Sequence, residues 1–192
     1  MSWLKNISQN LRVVRKGFPA ELQKLAAEVF KNYVKQHDSY AIGTDEFILD
    51  TGEKVLVPAR VHTDPYSPDN LRGTEKLIYD CIYSRSTDGY SREKALRNLY
   101  AIRSLPSWTI PYLYLSLSDY VIEISSIIKP NDEDIIHAFQ KLSELNPEQH
   151  RLIRARAVSY WNEYYRYKDD ISRYGDNISK LEYPALKVIN RI

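Results

Sequence analysis

The side chains best equipped for chemistry lie toward the C-terminal end, at His150, Arg154, Trp161, Tyr165 and Lys168. On a helical wheel at 100° per residue they share one shoulder of a single long helix. Beside them Ile153, Ala157, Tyr160, Tyr164, Tyr167 and Ile171 form a stripe that reads as core. Cations interleaved with aromatic rings can stack bases and neutralise phosphates, or supply a hot spot for a protein partner. The plainer reading is a solvated edge with its aromatics tucked under the next helix. Glu163, Asp169 and Asp170 on the same helix weigh against strong attraction to DNA.

A second group, His62-Thr63-Asp64, could begin a metal or acid–base site, with Arg60 close by. Of the remaining histidines, His37 lies close before the hairpin and His137 and His150 lie on other helices, and no His/Cys/Asp cluster has metal-ligand spacing. Surface and loop-capping roles therefore suit His62 and Asp64 better. There is no glycine-rich phosphate loop, no G-x-S-x-G elbow and no H-E-x-x-H. With six glycines in 192 residues, nothing points to a nucleotide, metal or other cofactor, and the chain leans away from catalysis.

The elements that must position these residues are mostly helical. Apolar spacing predicts helices over 2–16 and from Pro19 to about Gln36. The period then changes: 46–50 and 54–61 read as the strands of a β-hairpin turning at Gly52. Pro58 has no N–H to give, so that strand has an unpaired side there, where a partner could dock at a free edge. A Pro- and Asp-rich loop occupies 62–73. Six helices follow, at about 74–85, 88–103, 107–118, 119–128, 131–145 and 147–174. Asp88, Ser107, Asn131 and Asn146 are placed to cap helix N-termini, and Gly175 to close the last one. The apolar tail from Leu181 to Ile192 is a capping helix or the first half of a further unit, in which case the chain is part of something longer.

Residues 77–128 read as one unit written twice, an apolar segment, a Ser-bearing corner, an Asp and a second apolar segment. Asp88 aligns with Asp119 and Tyr83 with Tyr114, 31 residues apart. The run from Asp88 to Leu99 resembles the second helix of HEAT-like repeats, with Asp88 opening it, Arg92 following, and Ala95 and Leu99 facing the core. In the second copy Asp119 is kept, while Glu123 or Ser125 stands in the arginine position. The resemblance implies a short, irregular stack of helix pairs over 74–192, following an N-terminal part over 1–73 with a helical pair and the hairpin. Arg92 points with Ala95, Leu96 and Leu99, and a charge on that face needs a partner. Asp88 or Asp119 is the obvious one, in a bridge that sets the stacking register.

Composition bounds the function. A net charge of +2 gives no global field for nucleic acid or membrane. Charge is uneven, with seven Lys/Arg against three Asp/Glu in residues 1–40 and four against eight in 41–80. One cysteine, Cys81, excludes an internal disulfide and suits a reducing cytoplasm; the first residues show no apolar signal-peptide core. The segment from Trp108 to Ile128 cannot span a bilayer comfortably, since Asp119 and Glu123 would each cost about 2.5–3.5 kcal/mol near its centre. Sixteen tyrosines imply thin amphipathic cores first and sticky surfaces second. The resulting expectation is a mostly α, non-catalytic recognition or scaffold protein binding another protein or its own copy. The alternative is a nucleic-acid binder, even a DNA-base-processing enzyme, because some alkylpurine DNA glycosylases are similar in being compact HEAT-like stacks.

Overall fold

The computed structural model describes residues 11–34, 41–68, 70–166 and 178–192. The protein is mostly α-helical, and its described strands form one two-stranded antiparallel hairpin. Two compact units divide at Leu113 and Tyr114.

In the first unit, residues 11–15 are helical. A 3-10 turn (Ala20–Leu22) leads into α1 (Gln23–Tyr33), which buries Ala26, Val29 and Phe30. Phe18 packs against Trp108 and Tyr112 with ring centroids 5.7 and 5.5 Å away, and Tyr112 donates to the Gly17 carbonyl at 2.9 Å. A Cβ on residue 17 would stand 2.5 Å from the Tyr112 hydroxyl, so only glycine fits there.

The hairpin pairs β1 (Ala41–Ile48) with β2 (Lys54–Val61), Asp45 opposite Val57 and Phe47 opposite Val55. Gly52, at φ +81°, supplies the turn that the sequence predicts, and Leu49 donates to Glu53 across it at 2.8 Å. β1 begins five residues before the predicted start at 46. Its opening Ala41-Ile42-Gly43-Thr44 has no apolar alternation, because three of those four side chains are exposed.

The side of β2 that faces away from β1 is not free. Leu56 donates to the Lys16 carbonyl at 2.7 Å. At Pro58, where no N–H exists, the carbonyl accepts from Arg85 Nε at 3.0 Å. Val61 then forms a parallel bridge with Ser86. Arg85, Ser86 and Thr87 are the corner between α2 (Gly73–Tyr83) and α3 (Gly89–Tyr100). The same α2 packs on α1, and Phe30, Phe47, Val57, Ile78, Leu96 and Leu99 are buried in this unit.

Asp88 caps α3 as predicted, accepting from the Ser91 N–H at 2.8 Å. Arg92 is buried, at 1% exposure, and its Nη1 donates to the carbonyls of Ser86 and Thr87 at 2.9 and 3.1 Å. It thus holds the corner from which its own helix departs. Its charge also helps keep the Asp88 carboxyl below the usual range, chiefly an effect of the Ser91 hydrogen bond.

The segment predicted as helix 107–118 is a 3-10 turn (Ser107–Thr109), α4 (Ile110–Tyr114) and a second 3-10 turn (Leu115–Ser118). Ser107 does not cap it but donates to Asp50 at 2.9 Å. In the second unit Asp119 accepts from the Val121 N–H at 3.1 Å and turns the chain into the single-turn α5 (Ile122–Ser125). The two segments aligned in the sequence are therefore built differently: one is a pair of three-turn helices, the other a chain of short turns.

Next come α6 (Glu133–Leu145), capped by Asp132 rather than Asn131, and α7 (Pro147–Tyr164). Asn146 turns backward, giving its Nδ2 to the Leu142 carbonyl at 2.8 Å instead of capping α7. α7 ends ten residues before the predicted 174. Tyr165 leaves the helical conformation (φ −130°, ψ −10°) and becomes buried, its hydroxyl on the Tyr120 carbonyl at 2.9 Å. Gly175 lies outside the described residues. The tail forms α8 (Pro184–Ile189), a helix that buries Ala185, Leu186, Val188 and Ile189. No described helix is long and apolar enough to cross a membrane.

Replacing Arg92 with Met keeps the volume but removes the donor for two carbonyls at the corner. A loss of about 1–3 kcal/mol in urea unfolding is expected. An unchanged midpoint would show that the corner does not depend on this side chain.

Candidate functional site

Lys76 and Asp80 stand one turn apart on α2, as do Tyr79 and Tyr83, so each pair shares a face. Asp80 is 1% exposed, and a carboxylate at that depth requires donors. Lys76 Nζ is in direct contact with Oδ2. Tyr66, from the loop after β2, donates its hydroxyl to Oδ1 at 2.6 Å. The Tyr66 oxygen in turn accepts from Lys76 Nζ and from Asn98 Nδ2 on α3, both at 2.7 Å.

The backbone on either side is held as well. The Tyr66 N–H donates to Ser91 Oγ, and the Ser67 N–H to the Tyr79 hydroxyl, each at 3.0 Å. The Tyr66 ring meets Tyr79 and Tyr83 edge-on at 5.4 Å, those two stack at 4.3 Å, and the ammonium groups of Lys76 and Lys94 lie 5.3 and 5.1 Å from the Tyr66 centroid. Loop, α2 and α3 are locked by one polar and aromatic cluster.

The electrostatics suit positioning. Burial raises the Asp80 carboxyl above its ordinary range, against the opposing pull of Lys76 and Tyr66. Burial, and then the Asp80 carboxylate, push the Tyr66 phenol strongly upward, so the shared proton stays on tyrosine. A phenol with that preference is a fixed donor and a poor acid or base.

On the other side of Tyr79 and Tyr83 opens a cleft of about 420 Å³. Its walls are the last turn of α1 (Asn32, Tyr33) and the loop residues Asp64, Pro65, Ser67 and Asn70. Tyr79 and Tyr83 are the buried floor, while Asn32, Tyr33, Ser67 and Asn70 are exposed. Asp64 lies close enough to add to the upward shift of Tyr83, after burial and the Tyr79 contacts.

The sequence-predicted shoulder is only partly assembled. His150, on α7 in the second unit, meets the Tyr114 hydroxyl through Nδ1 at 2.5 Å. Burial and then Arg154 lower its pKa, while burial raises that of Tyr114. Arg154 is exposed and reaches Asn190 Oδ1 at 3.2 Å. Trp161 donates to the Ile178 carbonyl at 2.8 Å, with Arg166 and Lys180 each 5.8 Å from its ring. Tyr165 is buried against Tyr183, with ring centroids 5.5 Å apart. Lys168 lies outside the described residues.

His62 is exposed, its Nδ1 3.0 Å from Thr87 Oγ1, and Arg60 reaches the Ala59 carbonyl at 3.0 Å. Among the described residues no three His, Cys, Asp or Glu side chains gather at metal-binding distance. The Lys76–Asp80–Tyr66–Asn98 cluster and the cleft beside it were not singled out by sequence reasoning. The signals available were the two i, i+4 pairs on α2, Lys76 with Asp80 and Tyr79 with Tyr83. No family model, curated protein or solved structure matches this chain.

The depressed pKa of His150 sets a sign for stability against pH. The unfolded chain protonates this imidazole at a higher pH than the folded state does, so this contribution is full above about pH 6.5 and is lost as pH falls through it. Wild type should therefore lose stability between about pH 7.5 and 5 more steeply than His150→Gln, which cannot titrate there. Parallel urea-midpoint curves for the two proteins would contradict the assignment.

Proposed function

We propose that this protein is a non-catalytic recognition protein that binds another protein, and that the cleft between the end of α1, the loop of residues 62–72 and α2 is the contact site. The observation that carries this reading is the rigidity of the walls. The loop is pinned at Tyr66 and Ser67 by α2 and α3, so its ordering cost falls on folding rather than on binding. An open, aromatic-floored cleft with a few exposed polar groups has the make-up of a binding site. The helix pair α2–α3, with Asp88 at the cap and Arg92 inward, is the part that supports a HEAT-like unit as the scaffold.

Site-specific photo-crosslinking tests this. A benzoyl-phenylalanine introduced at Asn32 or at Ser67, both exposed on the cleft rim, should give a discrete crosslinked species in the native host. The same group at Tyr90, 85% exposed on α3, should not. Equal labelling from all three positions, or none from any, would sink the assignment.

A second reading has one specific support, the Trp161 ring with two cations above it and the exposed Arg154 on the same helix. Such a surface suits a nucleic-acid backbone and stacked bases. On that reading a short duplex or single strand binds with an affinity that falls steeply with salt, and Trp161→Ala weakens it. Flat fluorescence titrations at low salt would remove it.

A further inference from the structure

Among the described residues the cleft carries a consistent sign of charge. Asn32 and Tyr33 form the last turn of α1, an eleven-residue helix, and the C-terminal end of a helix carries partial negative charge. Asp64 adds a half-exposed carboxylate on the facing wall. The Asn32 and Asn70 side chains bring amide oxygens that accept hydrogen bonds. Tyr33, 36% exposed, is the most exposed aromatic residue of the cleft, and the face of an aromatic ring attracts cations. Among the described residues no Lys, Arg or His lines the cleft.

From this we infer that the cleft receives a positively charged side chain of the partner, specifically an arginine. A planar guanidinium has five donors in a fixed fork and stacks on aromatic faces. One edge meets the Asp64 carboxylate, the other meets the amide oxygens of the rim, and the flat face lies on Tyr33. Lysine supplies a point charge without the flat face, and an acidic segment meets Asp64 with the same sign. The inference rests on the reading of the cleft as the recognition site and adds the chemistry of what enters it.

The test uses the whole protein, isotopically labelled, with an acetylated and amidated glycine–arginine–glycine peptide as probe. A matched peptide carrying citrulline, the uncharged isostere of arginine, is the control. The arginine peptide should shift the side-chain amides of Asn32 and Asn70 and the backbone amide of Ser67. Asp64→Asn and the citrulline peptide should each weaken binding by about tenfold or more, as loss of a charge-assisted pair does. Raised salt should weaken the arginine peptide alone.

Equal binding of both peptides, or shifts confined to residues outside the cleft, overturns the inference, and so does the absence of any shift. Asp64→Asn in the photo-crosslinking experiment separates the two ideas. A cleft crosslink that survives this change at full strength, with no arginine-peptide binding, leaves protein recognition standing and removes the cationic anchor. Loss of crosslinking at Asn32 and Ser67 in the unmodified protein removes both.

Discussion

The structure of the first unit turns on one constraint, the burial of the Asp80 carboxylate. An ionised group taken out of water costs several kcal/mol unless charge and hydrogen bonds replace the solvent. Asp80 finds its replacements in Lys76 on its own helix and Tyr66 on the loop, and Tyr66 is completed by Asn98 on α3. Each partner comes from a different element, so satisfying one carboxylate fixes three elements at once. Removing Tyr66 alone would leave Asp80 short of a donor and Asn98 short of an acceptor, which is the situation in which partial networks become costly. The loop is thereby held across α2 and α3, and the cleft wall is a by-product of that holding.

Tyrosine is what makes so polar an interior workable. Tyr79, Tyr83, Tyr112, Tyr114 and Tyr183 are among the largest fully buried side chains. Tyr112 gives its hydroxyl to the Gly17 carbonyl, Tyr79 accepts from the Ser67 N–H, and the Tyr114 hydroxyl is hydrogen-bonded to His150 Nδ1. Ring area supplies apolar burial while the hydroxyl satisfies backbone or side-chain groups that a leucine would strand. Among the described residues Tyr66, Tyr100, Tyr160 and Tyr164 are half-buried and Tyr33, Tyr90 and Tyr120 are exposed.

What was legible in the sequence was local. The helical spacing of Leu22 to Tyr33, the hairpin turn at Gly52 and the cap at Asp88 depend on residues within a few positions of one another, and each stands where its pattern placed it. What was not legible depends on distant partners. α7 stops at Tyr164 because Tyr165 is drawn to the Tyr120 carbonyl and the Tyr183 ring, although nothing in the local spacing ends the helix there. Arg92 Nη1 donates to the carbonyls of its own corner, which no side-chain pattern announces. The cleft joins positions from Asn32 to Tyr83, so its residues show no common motif. Only the Lys76–Asp80 and Tyr79–Tyr83 pairs were visible on paper, and their role depends on Tyr66 arriving from elsewhere.

The corner at Arg85 extends the same logic to the hairpin. Pro58 leaves a gap in the outer edge of β2, and an open edge invites pairing with other chains. Arg85 fills it from the side, giving Nε to the Pro58 carbonyl and Nη2 to that of Ala59, while Val61 and Thr87 exchange main-chain bonds with the corner. The loop of residues 62–72 therefore starts from a strand end tied to the α2–α3 corner. It finishes at Gly73, in the left-handed region at φ +53° as α2 begins, with Asn70 also left-handed at +65°. Asparagine tolerates that conformation better than most residues, and the same residue places its amide at the cleft. Because the loop is anchored at its start by the sheet edge, at its middle by Asp80 and at its end by α2, the geometry of the cleft wall is set by folding rather than by what it binds.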